Sequence, residues 1–135
     1  MSKQSIKHGL IFLPIILAVF ILTACNKASE DAPGYTQISQ AEAREMMAKD
    51  DGHVIVDVRR EDEYNAGHIP GAIRVTNEEI GDTMPEELPD LDQVILVYCR
   101  SGRRSKEASE KLAKIGYTNV YEFGGIIDWD GEVVK

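Results

Sequence analysis

The chain has 135 residues, which suits a single domain, and 43% of them are hydrophobic while 28% are charged. Its formal net charge is −8 at pH 7. Nucleic-acid binding needs a basic face, so this acidic balance argues against DNA or RNA as a partner.

Residues 1–24 have the pattern of a secretory signal peptide. Two lysines precede an almost wholly apolar run over residues 9–22, which is short for a membrane span of ~20 residues. The run ends in Leu22-Thr23-Ala24-Cys25, which resembles the bacterial lipobox. This resemblance implies cleavage before Cys25 and a thioether-linked diacylglycerol on its sulfur.

Residues 25–34 are mostly small and polar and lack periodicity, which predicts a flexible, lipidated tether. Several acyl chains, at ~0.8 kcal/mol per buried CH₂, hold a protein stably on a bilayer. We therefore expect an extracytoplasmic protein anchored to a bacterial membrane through lipid on Cys25. An uncleaved amino-terminal anchor is the alternative. Lipid on Cys25 leaves Cys99 as a free thiol, so no disulfide is expected.

The remaining residues, 35–135, alternate between strand-like and helix-like segments. Strands are predicted at residues 35–38, 54–58, 72–75, 94–98 and 119–123. Helices are predicted between them, including short ones at residues 61–66 and 77–81. This alternation is typical of an α/β domain with a mostly parallel central sheet of about five strands flanked by helices.

Local signals predict where the first and last helices begin. Ser39 is followed three residues later by Glu42, the pattern of a capping box at a helix start that continues to about residue 49. Near the other end of the chain, Gly124 and Gly125 predict a tight turn. We expect a short final helix after this turn, packed through Ile126, Ile127 and Trp129.

The most informative stretch follows the fourth strand. Residues 94–98 read VILVY, a continuous apolar run that indicates a strand buried on both faces. Cys99 comes next, and apolar residues then recur at helical spacing up to Ile115, where Gly116 suits the helix end. Cys99 is therefore expected at the carboxyl end of a strand and below a helix start, the edge where α/β sheets bind ligands.

A polar loop connects Cys99 to that helix and consists of Arg100, Ser101, Gly102, Arg103 and Arg104. Thiolate is the nucleophilic form of cysteine, and both arginines and helix-start N–H groups favour it. Gly102 allows a tight turn in which backbone N–H groups form an anion-binding nest. We predict an electropositive bowl with a reactive Cys99 at its floor. The alternative is a buried structural cysteine beside solvated arginines.

Three more polar residues invite a functional interpretation. Asp57 and Arg59 follow the second strand at the same edge as the cysteine. They either shape the pocket or are structural, with Asp57 binding backbone N–H groups and Arg59 pairing with Glu61 or Glu63; we favour the structural interpretation. His68 invites a catalytic role because histidine is the side chain suited to proton transfer near neutral pH, but it shares no metal-ligand spacing with another residue, so no metal is predicted.

Three ordered motifs resemble those of the rhodaneses, the single-domain thiosulfate sulfurtransferases. The sequence C-R-S-G-R-R at residues 99–104 resembles the six-residue active-site loop of that family. The other two motifs are Asp57-Val58-Arg59 with Glu61, Glu63, Tyr64 and Gly67-His68-Ile69-Pro70-Gly71-Ala72, and Gly124-Gly125 with Trp129. The resemblance runs from about residue 35 to the end. It implies a rhodanese-like fold with no metal or organic cofactor, and it places His68 in a structural turn.

The resemblance also implies sulfur transfer. Cys99 would take sulfane sulfur from thiosulfate or a persulfide donor and pass it from a Cys99 persulfide to a thiol or cyanide acceptor. Loop N–H groups would hold the persulfide and the leaving sulfite, the three arginines would attract the donor, and Arg104 would be the direct anion ligand.

Three alternatives remain open from the sequence. Related phosphatases and arsenate reductases use a longer Cys-x5-Arg loop, whose arginine position is occupied here by Ser105. A non-catalytic rhodanese module would bind partners, although such modules often lack the cysteine. A persulfide carrier or thiol redox sensor would need the same loop as an enzyme, so sequence does not separate them.

Overall fold

The computed structural model describes residues 34–135. Its strands are β1 (Thr36–Gln37), β2 (Val54–Asp57), β3 (Ile73–Arg74), β4 (Val94–Cys99) and β5 (Asn119–Gly125). Its helices are α1 (Gln40–Met47), α2 (Glu61–Ala66), α3 (Arg103–Ile115) and a final 3₁₀ turn at Ile126–Asp128. The strands form one parallel sheet in the order β1-β5-β4-β2-β3, which confirms the predicted α/β architecture.

The amino-terminal predictions concern residues that this structure does not describe. The signal peptide, the lipobox cysteine Cys25 and nearly all of the tether lie outside residues 34–135. Within that range, no helix has both the length and the apolar character needed to cross a membrane.

Strand β4 is the centre of the domain, because it pairs with β2 on one side and β5 on the other. Its residues alternate between two apolar clusters. Ile95, Val97 and Cys99 face a cluster that includes the buried face of α3, whereas Leu96 and Tyr98 face one that includes Ala43 of α1. Burial on both faces explains why β4 is a continuous apolar run rather than an alternating one.

Helix α1 begins as its sequence predicts. The Ser39 hydroxyl accepts a hydrogen bond from the Glu42 N–H at 3.2 Å, and the Glu42 carboxylate accepts one from the Ser39 N–H at 2.7 Å. This capping box satisfies N–H groups at the helix start, where no intrahelical partner exists. The helix ends at Met47, two residues earlier than expected.

Two local predictions are wrong. Residues 77–79 form a turn, and the helix predicted over residues 77–81 is absent. The Glu79 carboxylate accepts the Thr76 N–H at 3.0 Å in this turn. At the carboxyl end of the domain, β5 continues through Gly124 to Gly125, where a tight turn was expected. Ile127 is 61% exposed, so only Ile126 and Trp129 of the final apolar residues pack on the domain.

The continuation of β5 has a packing reason. Gly125 is the β5 partner of Cys99, beside a shift in strand register. A Cβ atom built on Gly125 would lie 2.1 Å from the carbonyl oxygen of Arg100. The absence of a side chain therefore lets the residue after Cys99 lie directly against the end of β5.

Candidate active site

Cys99 is the last residue of β4 and is 1% exposed. The Gly102 N–H donates a hydrogen bond to its Sγ atom at 3.0 Å. Gly102 has a φ of 112°, a left-handed value that favours glycine, and it precedes the first residue of α3. Sequence and structure therefore agree that Cys99 lies at the end of a strand and below the start of a helix.

The second contact of Cys99 is a side chain that was not predicted as part of the site. Ser105 is buried in the first turn of α3, and its hydroxyl oxygen lies 3.4 Å from Cys99 Sγ. The same hydroxyl donates to the Glu122 carboxylate at 2.6 Å. Glu122 is only 3% exposed, and it also accepts the Gly124 N–H at 2.9 Å.

Two of the three loop arginines are paired with carboxylates. Arg104 makes two hydrogen bonds to the Glu63 carboxylate, at 2.8 and 2.9 Å. Arg103 is exposed and pairs with Glu107 of the same helix at 2.8 Å. Two of the three loop cations are therefore balanced by carboxylates, so the expected electropositive bowl is less positive than its sequence indicates. Arg100 and Ser101 are exposed beside the loop.

The ion pair between Arg104 and Glu63 is mostly buried and has two parallel hydrogen bonds. These bonds from Arg104 hold the pKa of Glu63 at about 2. The bonds from Glu63 likewise raise the pKa of Arg104, and the nearby charge of Cys99 contributes in the same direction. Glu63 reaches Arg104 from α2, forty-one residues away, and holds the arginine that ends the loop.

Asp57 and Arg59 form a buried pair with each other. The Arg59 guanidinium donates to both carboxylate oxygens of Asp57, at 2.7 to 3.1 Å, and to the Gly67 carbonyl at 2.6 Å. Asp57 also accepts the Tyr98 hydroxyl at 2.7 Å. The structural interpretation fits these contacts, but the expected pairing of Arg59 with Glu61 or Glu63 is wrong.

Burial shapes the protonation of this network. It opposes the charge of Arg59, but the hydrogen bonds and charge of Asp57 outweigh it and raise the pKa of Arg59. Burial is also the main cause that raises the pKa of Tyr98, with the charge of Asp57 acting in the same direction. The Tyr98 hydroxyl therefore remains a neutral donor to Asp57 over the physiological pH range.

His68 is engaged in contacts with the chain around it. Its Nδ1 atom lies 3.0 Å from the Tyr64 carbonyl oxygen, and its ring stacks on the Tyr64 ring with centroids 3.8 Å apart. Its backbone exchanges two hydrogen bonds with Val134, each 2.9 Å long. Within residues 34–135, no group of three or more His, Cys, Asp or Glu side chains is placed to hold a metal ion.

A cavity of about 390 Å³ lies beside the active loop. Ser101 and Gly102 line it from the loop, Lys106 from α3 and Glu122 from β5. The residue that binds Ser105 therefore also lines a space large enough for water molecules.

A thiol held at a strand end by a helix-start N–H group is typical of α/β proteins that use cysteine as a nucleophile. The chain belongs to the Rhodanese-like domain family, whose sequence model matches residues 39–132. Family and fold thus agree with the three sequence motifs.

Three relatives illustrate the similarity. The chain is 37% identical over 73 residues to thiosulfate sulfurtransferase PspE of Escherichia coli (strain K12), covering 54% of this chain and 70% of that protein. It is 36% identical over 97 residues to thiosulfate sulfurtransferase GlpE of Pseudoalteromonas translucida, covering 71% and 90%. It is 31% identical over 118 residues to the putative sulfur carrier protein YrkF of Bacillus subtilis, covering 87% and 63%.

Solved structures show the same fold. A structure described as a rhodanese with anions from E. coli matches with a TM-score of 0.55 and 34% identity. The match covers 62% of this chain and 98% of that one.

Proposed function

We propose that the protein is a sulfurtransferase that moves sulfane sulfur through a persulfide on Cys99. The observation that carries this proposal is the hydrogen bond from the Gly102 N–H to Cys99 Sγ, because it would stabilise a sulfur anion at that position. Similarity to two thiosulfate sulfurtransferases supports thiosulfate as a donor. Burial of the thiol favours small donors and acceptors over bulky ones.

The proposed reaction has two steps. The Cys99 thiolate attacks the outer sulfur of thiosulfate, the S–S bond of thiosulfate breaks, and sulfite leaves with the bonding electron pair. Cyanide or a thiol then attacks the outer sulfur of the Cys99 persulfide and releases the thiolate. This is covalent catalysis with alternating half-reactions, in which the enzyme is first charged with sulfur and then discharged.

Arg104 has a defined place in this proposal. Its guanidinium is held by Glu63 at the end of the loop, and the charge of Cys99 helps to raise the pKa of Arg104. We propose that Arg104 stabilises the anionic donor while Glu63 fixes its position. Arg100, which is exposed, would act earlier by attracting the anion over a longer range. Arg103 would add less to this attraction, because Glu107 balances its charge.

The test is production of thiocyanate from thiosulfate and cyanide by the purified, reduced full-length chain in detergent. We expect steady turnover by the wild type and none by Cys99→Ser, because an alcohol does not form the persulfide. Ser101→Ala is the matched control, since Ser101 is exposed in the same loop. Absence of thiocyanate with a confirmed free thiol would contradict the proposal.

A second candidate is a carrier that receives and delivers one sulfur without turning over small donors. Similarity to a putative sulfur carrier protein favours it. The carrier would be charged by a persulfide but would give no steady thiocyanate production. Mass spectrometry of the charged chain should then show one extra sulfur on Cys99, without turnover of thiosulfate.

We also propose that the protein is lipid-anchored outside the cytoplasm. Support comes from the apolar run at residues 9–22 and from Cys25, which follows it in a lipobox-like sequence. In a bacterial host, radiolabelled palmitate should be incorporated into the wild type and not into Cys25→Ser. Equal labelling of the two proteins, or recovery of both in the cytoplasm, would contradict the anchor.

A further inference from the structure

Glu122 is a buried carboxylate for which the proposed sulfur transfer has no role. It lies on β5 in an otherwise largely apolar stretch, N-V-Y-E-F, and is 3% exposed. Burying a carboxylate without a strong reason is costly, so its partners indicate what it does. Those partners are the Ser105 hydroxyl at 2.6 Å and the Gly124 N–H at 2.9 Å, both neutral donors.

The Ser105 hydroxyl has only one proton, and its direction is set by Glu122. Three acceptors lie near it: Glu122 Oε1 at 2.6 Å, the Gly102 carbonyl at 3.0 Å and the Gly124 carbonyl at 3.4 Å. The carboxylate oxygen is the nearest of the three acceptors, so the hydroxyl proton points to Glu122. Ser105 then presents a lone pair to Cys99 Sγ, 3.4 Å away, and accepts the thiol proton.

We propose that Glu122 accepts the proton of the Cys99 thiol through Ser105. In this step the S–H bond breaks and its electron pair stays on Sγ. The Ser105 oxygen gains the thiol proton while it gives its own proton to Glu122 Oε1, so no atom is oxidised or reduced. The proton returns by the same route when a thiol acceptor discharges the persulfide, or it leaves through the neighbouring cavity, which Glu122 lines. The assignment rests on the proposed function.

Several other titratable groups lie near the proposed proton route from Cys99 through Ser105 to Glu122. Tyr35 precedes β1, and its pKa is raised first by burial and then by the charges of Glu110 and Glu122. Lys106 of α3 and Asp128 of the final turn share the cavity with Glu122. Arg104 is held by Glu63, and the charge of Cys99 is among the causes that raise the pKa of Arg104. Among the described contacts of the Ser105 hydroxyl, Glu122 is the one carboxylate. Glu122 is therefore the final proton acceptor in the route from Cys99 through Ser105.

Two possible roles of Glu122, a fixed negative charge and a proton acceptor, predict opposite changes in the reactivity of the Cys99 thiol when Glu122 is replaced. If Glu122 were only a negative charge beside Cys99, replacing it by glutamine would favour the thiolate and make the thiol more reactive. If Glu122 accepts the proton, the same replacement removes the acceptor and makes the thiol less reactive wherever it must lose a proton to react. The sign of the change therefore distinguishes the two roles.

The experiment measures alkylation of the reduced full-length chain by iodoacetamide across a range of pH, in detergent. We expect Glu122→Gln and Ser105→Ala to react ~10-fold more slowly than wild type near pH 6 and to converge with it in alkali. Glu110→Gln is the matched control: it removes a carboxylate near Tyr35 that does not bind Ser105. Slow access of iodoacetamide to the buried thiol affects wild type and variants alike. The ratio of their alkylation rates therefore reports the activation of the Cys99 thiol.

Equal or faster alkylation of Glu122→Gln near neutral pH would overturn the proposal. If that variant failed to fold, Ser105→Ala would carry the test, because it cuts the route and leaves the carboxylate in place. Alkylation needs neither thiosulfate nor an acceptor. If the wild type produced no thiocyanate while Glu122→Gln and Ser105→Ala were still alkylated more slowly than wild type, the sulfur-transfer function would be refuted and the proton route would stand.

Discussion

Two buried carboxylates lie at the same edge of the sheet, and their hydrogen-bond partners differ in charge. Asp57, at the end of β2, is fully buried and is bound by a guanidinium, a tyrosine hydroxyl and a backbone N–H. Glu122, near the end of β5, receives hydrogen bonds from neutral donors only. The ion pair of Asp57 with Arg59 therefore holds two buried side chains together, whereas the Glu122 carboxylate has no cationic partner among the described residues that bond to it.

The largest effect is expected at Asp57, the carboxylate that is paired with a cation. Asp57→Ala leaves the buried guanidinium of Arg59 without its partner, and we expect a loss of about 3–5 kcal/mol in the free energy of unfolding. Asp62→Ala, an exposed carboxylate near Arg60, is the control and should cost at most ~0.5 kcal/mol. Urea unfolding followed by circular dichroism measures both. Similar losses in the two variants would remove the distinction between Asp57 and surface acids.

A second prediction concerns the end of β5, on the side of Glu122. Gly125→Ala would drive a Cβ atom into the Arg100 carbonyl and displace the loop, so we expect turnover to fall ~10²-fold. We expect a smaller loss of stability, about 1–3 kcal/mol. Gly81→Ala is the control, because no atom lies within 4 Å of the Cβ built there. Unchanged thiocyanate production by Gly125→Ala would show that the loop does not depend on this contact.

The smallest effect is expected at the Glu63–Arg104 pair, whose side chains are more exposed than those of Asp57 and Arg59. Glu63→Gln should cost about 1–2 kcal/mol in the free energy of unfolding. The pKa of Glu63 is about 2 in the folded chain and 4.5 ordinarily, so its contribution is complete above pH 4.5 and is lost as pH falls toward 2.

The measurement for this pair is urea unfolding at neutral pH and at successively lower pH. The difference between wild type and Glu63→Gln should shrink as the medium becomes more acidic. Glu61→Gln, an exposed neighbour in the same helix, is the control and should show little difference at any pH. A difference that persists unchanged through the acid range would contradict the ionised pairing.

Local patterns were sufficient for the parts of the molecule that depend on neighbours in sequence. The apolar run before Cys99 predicts β4, and the spacing of Ser39 and Glu42 predicts the cap of α1, since both depend on residues a few positions apart. Gly125 shows the limit of this approach. Two adjacent glycines serve equally in a tight turn or where another backbone approaches closely, and only the β4 neighbour decides between them.

The missed contacts of the site join residues that are distant in sequence. Glu63 and Arg104 are forty-one positions apart, and Ser105 and Glu122 are seventeen apart. Their pairing depends on the strand order, which places β5 beside β4 and brings α2 to the same edge. A single acid in an otherwise largely apolar strand was the available signal for Glu122, but it did not indicate which hydroxyl it would meet.

The two outer strands of the sheet, β1 and β3, are only two residues long each. The unpaired N–H and C=O groups of an edge strand can form hydrogen bonds with a strand of another chain. Long edge strands are therefore sites where proteins aggregate by strand addition. Here each edge exposes too little backbone to template a further strand. Copies of this domain can therefore be crowded together at high local concentration without joining their sheets.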